Sequence, residues 1–294
     1  MFRVLILGGA GQIGAELAAH EWGSKCELHL PSRVEFDLCD AQAIMRKVAE
    51  GGYSAVVNCG AYTAVDKAET DITNAWYANA LGPAALAEAT KALRIPLVHV
   101  STDYVFDGRK QGPYDPGDPV APINVYGASK EAGEQAVRTG NPNHIILRTA
   151  WVFSKQRSNF VKTMLNLARG RAQIKVVDDQ TGNPTSAQDI ADVIVRIATR
   201  LLDDETSPRG TYHFVNKGDA TWYTFAKHIF AKRAVGSEPL IEIIPIKTSD
   251  YPTPARRPQN SRLSSGAIER DFGIFARPWQ DAVGEVLDAL EGKS

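Results

Sequence analysis

Tyr126 and Lys130 stand four residues apart in Tyr126-Gly127-Ala128-Ser129-Lys130. On a helix that spacing puts both side chains on one face, so an ammonium can lie beside a phenol. A cation there favours the phenolate and draws the phenol pKa down from about 10, toward a range useful for proton transfer. The spacing alone is weak evidence, because Tyr223 and Lys227 repeat it. Position separates the two pairs. Tyr126 follows a strand-like run that ends in Ser101-Thr102-Asp103, whereas Tyr223 reads as a packing residue in the second half of the chain. A hydroxyl leaving the C-terminal end of a strand can hydrogen-bond a carbonyl beside Tyr126, and a Ser/Thr turn closing the strand would use the same residue. With Tyr126 and Lys130 downstream, Thr102 is the candidate third member. The chemistry open to the set is reduction of a ketone: Thr102 and Tyr126 donate to the developing alkoxide, and Tyr126 supplies its proton.

A hydride source is needed, and the first glycines of the chain point to one. Gly8-Gly9-Ala10-Gly11-Gln12-Ile13-Gly14 lies between an apolar run and a helical one. It fits GxGxxG through Gly9, Gly11 and Gly14, and GxxGxxG through Gly8, Gly11 and Gly14. Such a loop turns tightly and lets the backbone approach a pyrophosphate seated on the helix N-terminus. About 20 residues further on, a dinucleotide site often carries an acid for the ribose 2′-hydroxyl. Pro31-Ser32-Arg33 stands there instead. Ser32 and Arg33 suit a 2′-phosphate, so NADPH is preferred, with NADH left open. Asp37 and Leu38 can flank the adenine, although Asp37 would also serve to open the next helix.

These residues need elements to hold them. Short apolar runs (Val4–Leu7, Glu27–Leu30, Ala55–Asn58, Pro96–Ser101 and Ile145–Arg148) alternate with helical spacing (Ala15–His20, Ala41–Ala49, Ala75–Leu93 and Val125–Val137). That alternation predicts βαβ units and a parallel sheet. Beyond Arg148 it becomes irregular, with helices over Phe160–Ala168, Ser186–Leu202 and Thr221–Lys232 and strands over Ile174–Val177 and Thr211–Val215. Four prolines fall between positions 245 and 258, and Pro252, Pro254 and Pro258 make the stretch after Ile246 irregular. The expected fold is α/β: a Rossmann-type doubly wound parallel sheet with a smaller C-terminal α/β substrate lobe. Residues 1–150 form the dinucleotide-binding domain, with 186–215 returning to it, while 151–185 and 216–294 form mainly the substrate lobe.

Length and charge set the outer bounds. A chain of 294 residues has room for about two domains and a core that needs no disulfide or metal staple. Its 33 Lys+Arg against 34 Asp+Glu leave a net charge of −1, which argues against nucleic acid or an anionic membrane as partner. Cys26, Cys39 and Cys59 show no CxxC or Cys/His ligand spacing, so they read as reduced, buried thiols. The N-terminal apolar run is too short for a signal peptide, and no stretch reaches the ~20 apolar residues of a membrane span; a cytoplasmic location is expected. An anionic substrate would then be caught locally. Arg256, Arg257 and Arg262 offer guanidinium forks for phosphate, or simply a solvated basic loop. Trp151 can stack on a sugar or base, whereas Trp222 fits core packing better. His99, inside an apolar strand, reads as a core histidine.

Beyond single motifs, longer blocks carry a resemblance. GGAGQIG, the Asn58-to-Ala61 turn, Thr102 and Tyr126/Lys130 resemble the extended short-chain dehydrogenase/reductases. Within these, Val56–Glu69 (VVNCGAYTAVDKAE), Val100–Gly108 (VSTDYVFDG), Arg148–Phe153 (RTAWVF), Asp179–Thr185 (DQTGNPT) and Arg257-Pro258 look like the dTDP-4-dehydrorhamnose reductase family. The resemblance implies NADPH-dependent reduction of the 4-keto group of dTDP-4-dehydro-β-L-rhamnose to dTDP-β-L-rhamnose. Tyr126 would be the proton donor, Lys130 would hold the nicotinamide ribose, and Thr102 would be the third hydroxyl. Gly11, Gln12 and Ile13 match the phosphate loop, Asp37 and Leu38 the adenine contacts, and Ala61, Tyr62 and Thr63 the segment along the cofactor. Asp103 and Trp151 match substrate-pocket positions. Some members bind Mg²⁺ through glutamates at a dimer interface, and Glu16 falls at one such position, the other ligands being unplaced; the chain is a monomer or a homodimer on this reading. Two alternatives use the same scaffold: a nucleotide-sugar epimerase or dehydratase with tightly bound NAD, and a non-catalytic dinucleotide-binding regulatory subunit of methionine adenosyltransferase.

Overall fold

In a computed structural model that describes residues 1–233 and 241–292, six apolar runs build one parallel sheet. They are β1 (Phe2–Leu7), β2 (Cys26–His29), β3 (Ala55–Asn58), β4 (Leu97–Thr102), β5 (His144–Thr149) and β6 (Gly210–His213). Their spatial order is β6-β5-β4-β3-β1-β2. The middle strands β3, β4 and β5 are buried at every position because helices cover both faces. Leu5, Leu7, Val56 and Leu97 face the helices Ala41–Glu50 and Gly82–Leu93. Val4, Ile6, Val57 and Val98 face Gln12–Ala19 and Ala187–Asp203. This is the expected doubly wound α/β fold. The chain passes from β1 outward to β2 and returns to β3 on the other side of β1, so the strand order reverses at the β1/β3 gap. A crevice opens there beyond the carboxyl ends of the strands.

One element differs from its sequence reading. The Ala-rich run is not a single regular helix but Ile72–Trp76, a wide π-turn over Tyr77–Leu81, and then Gly82–Leu93. Pro83 has no N–H to offer the carbonyl of Asn79, so the ladder breaks there. A Cβ on Gly133 would lie 2.0 Å from that same carbonyl oxygen, which shows how closely the Val125–Gly140 helix approaches. That helix opens on Asn124, whose side chain accepts from Gly127 N at 2.7 Å. Inside it, Glu134 accepts two bonds from the buried Arg148, from Nε at 2.8 Å and Nη2 at 2.6 Å. Removing one partner of such a buried pair costs about 3–5 kcal/mol.

Elsewhere, the helices Phe160–Leu167, Trp222–Arg233 and Trp279–Leu290 gather around Phe225, Ile229, Trp279 and Val283. A two-stranded parallel pair, Gln173–Val177 with Glu242–Ile246, lies beside them. Pro245 sits inside the second strand, which is possible because a two-stranded ribbon leaves an outer edge with no bond to donate. Residues 255–263 run back over the sheet domain as a strap. Thr181 N donates to Gln259 O at 2.8 Å, Tyr114 N to Arg262 O at 2.8 Å, and Asn260 Nδ2 to Lys110 O at 2.6 Å. The three cysteines are free and only half-buried, less enclosed than their sequence reading. No helix among the described residues is long and apolar enough to cross a membrane.

Candidate active site

The glycine loop closes the carboxyl end of β1. Gly8 has φ +81°, and a Cβ there would lie 2.5 Å from Gly60 N, so the loops after β1 and β3 touch through two glycines. Gly11 N donates to Gly8 O at 2.8 Å and leads into the Gln12–Ala19 helix. A Cβ on Gly14 would lie 2.2 Å from Gly8 O, so only glycine lets this helix start so close to the turn. Amides from the first helical turn therefore face the crevice, as a pyrophosphate requires. Ile13 packs on the core below. Gln12 Oε1 accepts from Ser154 Oγ at 2.9 Å and Asn159 Nδ2 at 3.1 Å, and Arg157 Nε donates to Ala10 O at 2.6 Å. Residues 154–159 thus lie over the glycine loop. Nearly 150 residues separate these partners, and no spacing rule reveals them.

At the end of β2 the turn rearranges the charges seen in sequence. Ser32 N donates to Glu35 Oε2 at 2.8 Å while Glu35 N donates to Ser32 Oγ at 3.3 Å. The position read as free of acids therefore has the Glu35 carboxylate folded back onto it. Arg33 remains exposed, 3.9 Å from Asp37. Asp37 accepts from Cys39 N at 3.0 Å, and the residue that caps the next helix is Asp40, which accepts from Ala43 N at 2.9 Å. Leu38 packs against Gly60 and Gly82. Along the next turn, Ala61 and Thr63 flank Tyr62, whose N–H donates to Asn79 Oδ1 at 2.8 Å. Asn79 Nδ2 in turn reaches Tyr62 O at 3.0 Å and Ser129 Oγ at 3.0 Å. Asn79 fastens the β3 turn to the helix bearing Tyr126. Its sequence signal was a lone amide within an alanine-rich run.

Thr102, Tyr126 and Lys130 converge at the end of β4. Thr102 is the last residue of the strand, and its hydroxyl lies against that of Tyr126. Tyr104 meets Tyr126 edge to face, with ring centroids 5.5 Å apart. Lys130 is buried, and its Nζ donates to Val100 O at 2.7 Å. The phenol does not behave as its spacing suggested. Desolvation pushes Tyr126 up to about 12, with the Asp103 charge adding to the rise and Thr102 opposing it. Lys130 is itself drawn down to about 8 by burial, against the pull of Glu134 and Cys59. The ammonium is committed to a backbone carbonyl, so the hydroxyl of Tyr126 keeps its proton at neutral pH. Tyr223 and Lys227, the repeat of the spacing, lie in the other cluster of helices, with Lys227 over the Tyr223 ring at 5.4 Å.

Beyond these groups stand the candidate substrate residues. Asp103 accepts from Thr102 Oγ1 at 2.9 Å. Trp151, just past β5, has φ +46° and stacks on Trp222 with centroids 3.5 Å apart, so Trp222 is the platform behind it as well as a core residue. Arg257 forks onto Asp66, Nη2 to Oδ2 at 2.8 Å and Nη1 to Oδ1 at 3.1 Å, and also engages Tyr104. Arg262 is held by Asn260 and Asp219. Of the three arginines, Arg256 is the exposed one with no side-chain partner among the described residues. His99 is buried and bonds Asn58 at 3.1 Å. Glu16 is near Lys155 and Asp192, but Asp192 is engaged by His20 at 2.9 Å. The described residues hold no group of three or more His, Cys, Asp or Glu able to bind a metal ion.

A doubly wound sheet whose switch point presents helix amides, and whose fourth strand delivers a hydroxyl to a Tyr–Lys pair, defines a nicotinamide-dependent oxidoreductase of the short-chain dehydrogenase/reductase type. Comparison with known proteins narrows the class. The family model described as RmlD substrate binding domain matches residues 2–291. A dTDP-4-dehydrorhamnose reductase of Sinorhizobium fredii is 42% identical over 99% of both chains. A crystal structure of such a reductase from Clostridium acetobutylicum superposes with a TM-score of 0.92 at 36% identity, covering 99% of this chain and 100% of that one. Another from Bacillus anthracis, in complex with NADP, gives 0.90 at 34% identity, covering 98% and 100%. The chain belongs to the dTDP-4-dehydrorhamnose reductase family.

Proposed function

We propose that this protein reduces the 4-keto group of dTDP-4-dehydro-β-L-rhamnose to dTDP-β-L-rhamnose, the last step in making that sugar nucleotide, with NADPH as the preferred cofactor and NADH as the alternative. The observation that carries the reading is the meeting of Thr102, Tyr126 and Lys130 at the mouth of the β1/β3 crevice, in a chain 42% identical to a reductase of that name. The cofactor, when bound, supplies the hydride. Gly8, Gly11, Gln12, Ile13 and Gly14 would hold its diphosphate, and Ser32, Arg33, Asp37 and Leu38 its adenosine end. Ala61, Tyr62 and Thr63 would line its length. The glycines fit that group, since a Cβ at Gly8 or Gly14 would close the turn that presents the amides. Lys130, cationic below about 8, would orient the nicotinamide ribose. Tyr126, a phenol at neutral pH, gives its proton to the sugar oxygen, and Thr102 donates to the same oxygen. Trp151 and Asp103 would bound the sugar, with Arg257 and Arg256 on the diphosphate side. In this division of labour residues 1–150 and 186–215 serve the cofactor, and 151–185 and 216–294 mainly serve the sugar nucleotide. We place the enzyme in the cytoplasm.

Purified protein mixed with NADPH and the keto sugar should oxidise the cofactor, read as loss of absorbance of the reduced nicotinamide. No oxidation where a reductase of this family works would overturn the reading. Tightly bound, stoichiometric NAD⁺ in the same preparation would favour the epimerase or dehydratase alternative.

A further inference from the structure

A threonine hydroxyl has one hydrogen to give and two lone pairs to receive with. In Thr102 the hydrogen and one lone pair are spent. Oγ1 donates to Asp103 Oδ1 at 2.9 Å and accepts from Tyr104 N at 3.2 Å, with the Tyr126 hydroxyl beside it. An ionised carboxylate has no hydrogen of its own. While Asp103 is ionised, the Thr102 hydrogen is therefore held by that carboxylate and cannot point at a substrate. The geometry points to Asp103 as a positioning residue that, in its protonated form, turns the Thr102 hydrogen toward the substrate carbonyl. The acid O–H then donates to Thr102 Oγ1. The freed Thr102 hydrogen joins that of Tyr126 on one oxygen. In the step itself the Tyr126 O–H bond breaks as the sugar O–H bond forms, hydride from the dinucleotide reaches the carbonyl carbon, and Asp103 keeps its proton.

The surroundings of Asp103 suit a proton. It is 3% exposed, and its Oδ2 has no hydrogen-bond partner of good geometry, a harsher condition for a carboxylate than for a neutral acid. Thr102 and Tyr104 face it from its own strand end, Tyr126 from the Val125–Gly140 helix and Ser261 from the 255–263 strap. Arg257, paired with Asp66, reaches no closer than Tyr104. No cation pairs with the carboxyl among the described residues. Burial pushes it up to about 6, against the hydroxyls of Ser261 and Thr102.

This inference rests on the reductase reading, and one experiment separates their failures. The pH dependence of kcat/KM with NADPH and the keto sugar is measured for the natural enzyme, Asp103→Asn and Asp103→Leu, with NADPH binding followed in parallel by fluorescence. The natural enzyme should lose kcat/KM about twentyfold between pH 5.5 and 7.5 as Asp103 ionises. Both variants should turn over with a nearly flat profile across that range, because neither side chain titrates there. A slope kept by either variant, or absent from the natural enzyme, overturns the proposal. Loss of turnover in both variants at every pH with NADPH still bound overturns it too, since Asp103 would then act on the sugar directly. Failure of the natural enzyme to oxidise NADPH at all would instead refute the reductase reading.

Discussion

Burial decides how the reacting residues behave. Lys130 and Tyr126 share a helix face as their spacing requires, yet Lys130 spends its charge on Val100 O and the phenol is pushed up to about 12. The pair therefore acts as an acid with a fixed proton, and not as a phenolate at rest. Replacing Tyr126 by Phe should lower kcat by about 10²–10⁴-fold, the range for losing a positioned general acid. NADPH affinity should stay within about twofold, because the ring and its edge contact with Tyr104 remain. Stopped-flow turnover and fluorescence titration check both halves. Turnover near the natural rate would remove Tyr126 from the proton step.

Among the elements, the helix Val125–Gly140 is the one with least freedom. It sits against the β4 exit through Gly127 and against the π-turn through Gly133. A Cβ on Gly127 would lie 2.1 Å from Tyr104 O, a backbone atom that cannot swing away. Gly127→Ala should shift the helix start, destabilise the fold by about 1–3 kcal/mol, and reduce kcat by more than tenfold. Gly117→Ala is the control, since nothing lies within 4 Å of its added carbon. Urea unfolding and initial rates on the two proteins measure the difference, and equal values would show that the close approach is dispensable. The glycine itself is plain in the sequence; the atom it must avoid is not.

Considered whole, the molecule encloses most of its histidines. Four of the six (His99, His144, His213 and His228) have pKa values lowered by burial, His213 to about 3. The unfolded chain takes up protons at these sites as pH falls below about 6.5, and the folded protein does not. Stability should therefore fall with pH from about 6.5 down toward 3. Glu134, held below the usual carboxylate range chiefly by Arg148 against its burial, extends the loss further down. Asp103, raised to about 6, opposes it between about 6 and 4 as a single group. The urea midpoint should drop measurably from pH 7 to pH 5. A constant midpoint would contradict the burial of these rings.

The sequence alone determined what local rules govern. Alternating apolar and amphipathic runs set the strands and helices, and glycine spacing marked the phosphate turn. The placement of Tyr126 and Lys130 after the fourth strand, with Thr102 at its end, told them apart from Tyr223 and Lys227. These signals act within a few residues, where covalent geometry and periodicity suffice. Only the tertiary structure decided the contacts between distant segments: Gln12 with Ser154 and Asn159, Asp66 with Arg257, Trp151 on Trp222, and the strap of residues 255–263 beside Asp103. It also decided charge state, bringing Glu35 back onto Ser32 and raising Tyr126 where spacing implied a fall. Desolvation depends on everything that surrounds a group, and chain packing alone supplies those surroundings.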